Sequence, residues 1–344
     1  LTHNDLIVRP ITGREELELF CRLPYVLNDE LADDLDAGRR RPEWMWVALR
    51  GERLVARLAW WAPRPDAPPA MLDTFDLDDA APSPERLDDA ALLLSTAMAA
   101  VLPSGARPPE YNRYIPPGWR EDEAARQVVE DRMTVLARGG AKPLVERLRF
   151  EWRPGAPVPG PSGRLSFRPV GDRADLVELM TLVLEGTLDA HSRADLTRMT
   201  AAQAAAEQYD DELAHYRSPR DWWRIATTPG GDPVGFVIPA RNSYNPIIAY
   251  IGVLPAYRGR GHIDDLLAEG TRILAAQDVP RIRAATDVGN VPMARAFHRA
   301  GYTHFQGEIN MTWGSSPLWA SSSRKIVSSG SRLGADPPAS FPPK

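Results

Sequence analysis

The chain has 344 residues, long for one domain and comfortable for two. Its 41 Lys and Arg are balanced by 46 Asp and Glu, a net charge of −5, which argues against a general nucleic-acid binder with a basic footprint. The lone cysteine, Cys21, excludes an internal disulfide, and no apolar run approaches the ~20 residues that span a bilayer. The opening residues 1–6 have no signal-like apolar core, so the expected location is cytoplasmic, with neither nucleic acid nor membrane as a partner.

In chain order, the two halves begin alike. "LIVRPITGREELELF", from Leu6, and "LSFRPVGDRADLVELM", from Leu165, each read as a short alternating strand, an Arg-Pro turn and an amphipathic helix with an acidic first turn. A Trp-bearing hairpin follows in both, over 43–64 and over 221–241. An apolar strand comes next, "AMLDTFDL" from Ala70 and "IIAYIGVL" from Ile247, and then a helix, over 84–102 and over 261–277. "RPGAPVPGPSG", from Arg153, reads as the linker between the halves. The shared order predicts a tandem duplication of one α/β domain. Its copies occupy 1–153 and 164–314, with a linker over 154–163; 315–344, rich in Ser, Pro and Gly, is expected to be a disordered tail. Trp44, Trp46, Trp60, Trp61, Trp222 and Trp223 are expected to pack in the core and between domains rather than to cage a cation.

"GVLPAYRGRGHIDDLLAEG", from Gly252, reads as the end of a strand, a turn and a helix. A helix N-terminus leaves backbone N–H groups unpaired and partly positive. Glycines in the preceding turn let a ligand approach the backbone, and flanking arginines add charge-assisted bonds. Arg258, Gly259, Arg260, Gly261, His262 and Ile263 therefore predict a pyrophosphate cradle. The Gly-Lys-Ser/Thr end of a Walker loop is absent, and Asp265 stands where a dinucleotide fingerprint needs its third glycine. His191, His215 and His262 lack metal-ligand spacing, so no metal is expected.

"VLPAYRGRG" resembles the acyl-CoA signature of the GNAT superfamily of N-acetyltransferases, Arg/Gln-x-x-Gly-x-Gly/Ala after an apolar strand and Val-x-Pro. Arg258, Gly261 and the Val253–Pro255 lead-in match; Ile263 departs from the final Gly or Ala. "ATDVGNVPMARAFHRAGY", from Ala285, is similar to the downstream motif, with Asn290, Phe297 and Gly301-Tyr302 at its spacing. The resemblance covers about 163–313. It implies two tandem GNAT-like α/β domains, each a mixed, mostly antiparallel central sheet flanked by helices. It also implies acetyl-CoA as acyl donor in the C-terminal copy and a strand ending at Val253 that splays from its neighbour at a bulge. The backbone around Ile251, Val253 and Leu254 would guide the pantetheine arm, with Asn290 and Phe297 beside it. The first copy lacks the glycine-arginine turn, and Asp73, Asp76, Asp78 and Asp79 there would repel a pyrophosphate.

The resemblance also implies where acid and base should stand. The tyrosine that usually protonates the leaving thiolate is replaced by Phe297, and the glutamate that often serves as base by Ala249. His298 is a neighbouring candidate. Glu185 and Asp189 lie one helical turn apart in "LEGTLDAHSRADL", and one or the other would hold the acceptor's ammonium and take its proton. Glu308 in the last strand would face the cleft from below. The expected function is acetyl transfer from acetyl-CoA to an amine of a small molecule. The rival is an acyl-CoA-binding sensor or scaffold without catalysis.

Overall fold

The structure, a computed structural model, describes residues 5–314; the expectation for a tail at 315–344 lies outside them. The first half runs β1 (Leu6–Pro10), α1 (Leu17–Phe20), α2 (Leu31–Asp36), β2 (Met45–Arg50), β3 (Arg53–Trp61), β4 (Met71–Leu77), α3 (Ser83–Val101), β5 (Glu110–Ile115), α4 (Glu123–Arg138) and β6 (Lys142–Trp152). The second runs β7 (Ser166–Pro169), α5 (Arg173–Val183), α6 (Ala190–Leu196), α7 (Ala201–Asp211), β8 (Arg224–Thr227), β9 (Pro233–Arg241), β10 (Pro246–Val253), α8 (His262–Ala275), β11 (Ile282–Asp287), α9 (Val291–Arg299) and β12 (Thr303–Thr312). The first helix stops after one turn because Pro24 cannot continue it, and the Asn28 amide donates to the freed carbonyls of Cys21 and Leu23.

The duplication extends to individual contacts. After β1, Arg9 donates to both carboxylate oxygens of Glu16 at 2.6 and 2.7 Å, and the Thr12 N–H donates to the same carboxylate. After β7, Arg168 donates to both oxygens of Asp175 at 2.7 and 2.9 Å, and the Gly171 N–H joins them. Each is a fork-to-carboxylate bond that ties the strand end to the following helix.

All strands form one twelve-stranded sheet in the order β1-β2-β3-β4-β5-β12-β6-β11-β10-β9-β8-β7. The last strand of each half has changed places with the other. β12 is antiparallel to β5 and β6, and β6 is antiparallel to β11 and β12. The cores follow the exchange: Ile309, Met311 and Trp313 join the first half's cluster beneath α3 and α4, while Phe150 and Trp152 join the second half's cluster beneath α8 and α9. Residues 154–163, which follow β6, therefore divide the chain in sequence but leave β6 inside the second half's sheet. The opposite faces are covered by α1 and α2 in the first half and by α5 and α7 in the second. Of the six tryptophans, all but half-buried Trp222 are buried in these cores, and the Trp61 indole also donates across the halves to the Tyr244 hydroxyl at 2.9 Å.

Candidate active site

The site begins where β10 leaves β11. These parallel strands pair only at Ile247 and Arg283, whereas β10 keeps its antiparallel partner β9 along its whole length. The β9–β10 register slips between Ile248 and Tyr250, so Ala249 is the bulged residue, four positions before the Val253 expected from sequence. An extra residue there strengthens the local twist and swings the rest of β10 away from β11. Gly252 lets α5 lie on the strand: a Cβ there would come within 2.6 Å of the Val183 side chain.

A cavity of about 430 Å³ runs through this opening. On the α8–α9 face it is lined by Gly259, Gly261, His262, Ile263, Asn290 and Phe297, and on the α5–α7 face by Asp189, Ser192, Gln208, Tyr250 and Arg147. Its wall includes Ala249, Ile251 and Val253. At the α8 end, Gly259 and Gly261 hold φ of +75° and +77°, which L side chains rarely adopt, and no side chain caps the helix. Apart from its chain neighbours, nothing lies within 4 Å of where a Gly259 Cβ would be, so the backbone there is open to approach. The acids of the first helical turn are neutralised: Asp264 by Arg299 at 2.7 Å and Asp265 by Arg164 at 2.5 Å. Arg164 also donates to the carbonyls of Arg260 and Gly261, holding the turn from outside. Burial, aided by Arg164 and Arg260, pushes the His262 imidazole below its usual range, so it is neutral at pH 7. These features suit the pyrophosphate and pantetheine of an acyl-CoA.

The two arginines of the turn are placed differently, Arg258 in the cavity lining and Arg260 outside it. The Arg258 guanidinium donates to the carbonyls of Val253, Val183 and Glu185, at 3.1, 2.7 and 2.7 Å. It ties the end of α5 to the end of β10. Arg260 lies outside the lining, with its guanidinium 5.7 Å from the centre of the Tyr257 ring. Leu254 is also outside it, buried in the core with its N–H donated to the Val234 carbonyl. Asn290 lines the cavity and caps α9 through the Met293 N–H. Phe297 stacks on Phe150 at 4.9 Å.

The sequence reading put Glu185 and Asp189 on one helix face. In the structure α5 ends at Val183, so both lie in the connection to α6, and they part. Glu185 is exposed and away from the cavity. Asp189 lines it and accepts the Ser192 N–H at 2.7 Å as N-cap of α6. His298 is exposed on the outer side of α9, edge-on to Phe150. Tyr250 turns its ring to Phe236 and into the cavity; burial, with Asp189 and Glu212 nearby, pushes its hydroxyl well above the usual phenol range, so it remains a donor. Glu308 is buried opposite Arg147 and does not line the cavity.

Two contributors went unnoticed in the sequence. Arg147 sits in β6, a strand of the other half, among charges alternating with Leu148 and Phe150 that read as a solvated face. Arg164 is the first residue after the stretch read as linker. The first half's equivalent opening, between β4 and β5, pairs only at Met71 and Leu72 and is filled by side chains. Asp76 is bound by Arg57 and Arg113, both at 2.9 Å, with Arg132 at 3.8 Å, and Asp73 by Arg40 at 2.6 Å. Asp78 and Asp79 pair with Arg53 and Arg132. These acids are therefore paired with guanidinium groups and do not present the bare negative field expected from sequence.

Residues 189–302 match the family model of the acetyltransferase (GNAT) family. No curated protein matches the chain. Among solved structures, it is similar to a GCN5-related N-acetyltransferase from Sphaerobacter thermophilus, with 14% identity, a TM-score of 0.57, and 92% of this chain and 98% of that one covered. It is also similar to a tandem GNAT protein from the clavulanic acid biosynthesis pathway, with 15% identity, a TM-score of 0.50, and 91% and 99% covered. At these identities the likeness is one of fold.

Proposed function

We propose that this chain, whose residues 189–302 form a domain of the GNAT acetyltransferase family, transfers an acetyl group from acetyl-CoA to the amine of a small molecule. The observation that carries the reading is the cavity that passes between β10 and β11, with the glycine turn and uncapped start of α8 on one face and Asp189 and Tyr250 on the other. Donor and acceptor would meet from opposite faces of the sheet.

The turn's backbone would hold the pyrophosphate, and the free edge of β10 beyond Ile247 would take the pantetheine amides as an added strand. Asp189 would attract the acceptor's ammonium and receive one of its protons. The neutral amine then attacks the thioester carbonyl carbon; the C–N bond forms, the nitrogen sheds its surplus proton to solvent, the C–S bond breaks, and the electron pair leaves on sulfur. Phe297 offers no proton there. A thiol with a pKa near cysteine's ~8.5 leaves as thiolate without a strong acid and takes its proton from solvent. Calorimetry of acetyl-CoA on the full chain, followed by thiol release with a panel of amines, tests this. Binding with release in the presence of an amine is the expected result; binding with no release on any amine would point to the non-catalytic sensor.

A further inference from the structure

We propose that the acceptor is a small zwitterion, an amine that also carries a carboxylate, and that Arg147 of the first half is the residue that selects it. The inference rests on the acetyl-transfer reading above and concerns the acceptor face of the same cavity. Arg147 is 7% exposed, and its Nε lies 3.1 Å from Asp287 Oδ1. No hydrogen bond from its two terminal nitrogens is found among the described residues, and, unlike its Nε, they are not sealed from solvent. Arg147 lines the cavity, so this open end of the fork faces the acceptor's space.

The surroundings decide what that fork can take. Asp287 is engaged twice, by Arg147 and by the Ala190 N–H at 2.6 Å, and Glu110 is held by His191 at 2.9 Å. Among the described residues, the charged side chains lining this part of the cavity are Arg147, Arg258 and Asp189, and the Arg258 guanidinium is already bound to the carbonyls of Val253, Val183 and Glu185. Burial works against the charge on Arg147, but Glu308, Asp287, Asp189 and Glu110 outweigh it, so the cation is secure. A planar fork with two free donors matches a carboxylate in bidentate fashion. An acceptor without one would leave the two terminal nitrogens of a nine-tenths buried guanidinium dehydrated and without a partner when it enters. Sites of that kind reject the analogue lacking the polar group far more strongly than apolar pockets reject a missing methylene. The ammonium of the same molecule would lie toward Asp189.

The test uses the full chain, acetyl-CoA, and the common α-amino acids, each beside the amine made by removing its carboxylate. Thiol release should favour at least one amino acid over its decarboxylated partner by ~10³-fold in kcat/KM. Arg147→Lys keeps a cation opposite Asp287 but loses the fork. It should reduce that preference by at least ~10-fold through a higher KM for the amino acid, with KM for acetyl-CoA unchanged. Equal or faster turnover of the decarboxylated amines, with the ratio unmoved in Arg147→Lys, overturns this inference and leaves acetyl transfer standing. Acetyl-CoA binding without thiol release on any member overturns the acetyl-transfer reading and this one with it.

Discussion

Glu308 of β12 stands directly opposite Arg147 of β6 in the sheet register, although the two belong to different halves of the chain. Arg147 in turn stands opposite Asp287 of β11. The centre of the sheet is thus built by alternating the halves, first β5, then β12, β6 and β11. The lining of the second half's cavity consequently includes a first-half side chain, Arg147. The duplicated copy without a cradle still has a part in the site.

The exchange has a mechanical consequence. A protease site placed in the exposed stretch at 160–162 and cut in the folded protein should leave two fragments that remain together. Each contributes a strand flanked on both sides by strands of the other, along with buried side chains such as Trp152 and Met311. Size-exclusion chromatography of the nicked protein should give one peak at the uncut volume, and two only in denaturant. Separate folded fragments in native buffer would refute the exchange.

The cradle is tested at Gly259, where, its chain neighbours Arg258 and Arg260 aside, a new Cβ would meet nothing within 4 Å. Gly261 is less clean, because a Cβ there would lie 3.8 Å from the Arg164 guanidinium. Asn tolerates the left-handed backbone better than most residues, so Gly259→Asn measures strain and bulk, ~1–2 kcal/mol. Gly259→Asp adds a negative charge at the mouth of α8. Titration should show acetyl-CoA bound at least ~10-fold more weakly by Asp than by Asn, with the gap narrowing as salt is raised. Equal affinities would place the pyrophosphate elsewhere.

Much of this site is local in sequence and was legible there. The glycine turn, α8, the Asn290 cap and the apolar β10 depend on neighbours a few residues away. The strand exchange was not legible, because β5, β6 and β12 pair across separations of 150 residues or more, as in Arg149 opposite Gln306. Arg147 shows the cost. Alternating charges on a strand signal a solvated face, and only the exchange places that face under α6. The bonds of Arg258 to the carbonyls of Val183 and Glu185, in a helix end far away in sequence, were not legible either.

The buried His191–Glu110 pair gives a pH dependence to stability. Burial lowers the imidazole's affinity for its proton, but Glu110, which accepts from it at 2.9 Å, and Asp189 outweigh both burial and Arg147, so its pKa is raised above 6.5. A group raised on folding contributes stability that is fully present below its unfolded pKa and lost as pH rises through the folded one. Glu110→Gln should therefore lower Tm most near pH 6, and the deficit should shrink as pH is raised from 6.5 to 9. A deficit constant over that range would mean that the histidine is neutral throughout.

The proton from the acceptor's ammonium separates Asp189 from the other two candidates. Asp189→Asn is a mild structural change, since Asn caps a helix about as well as Asp and would still accept the Ser192 N–H. It removes the charge that would steady the ammonium and the oxygen that would take its proton. Turnover should fall by ~10²–10⁴-fold, with acetyl-CoA affinity nearly unchanged, because the donor's turn lies on the other face of the sheet. The loss should be relieved in part at high pH, where the amine arrives already neutral. Glu185→Gln should turn over as wild type: the Arg258 tie uses the Glu185 carbonyl, which the substitution keeps, and the side chain is exposed outside the cavity. His298→Ala should do the same, because His298 faces outward from α9 and does not line the cavity. Steady-state kinetics across pH on the three variants decides the matter. A silent Asp189→Asn with a dead His298→Ala would mean that the proton leaves on the α9 side, and that the acceptor enters from the face assigned here to acetyl-CoA.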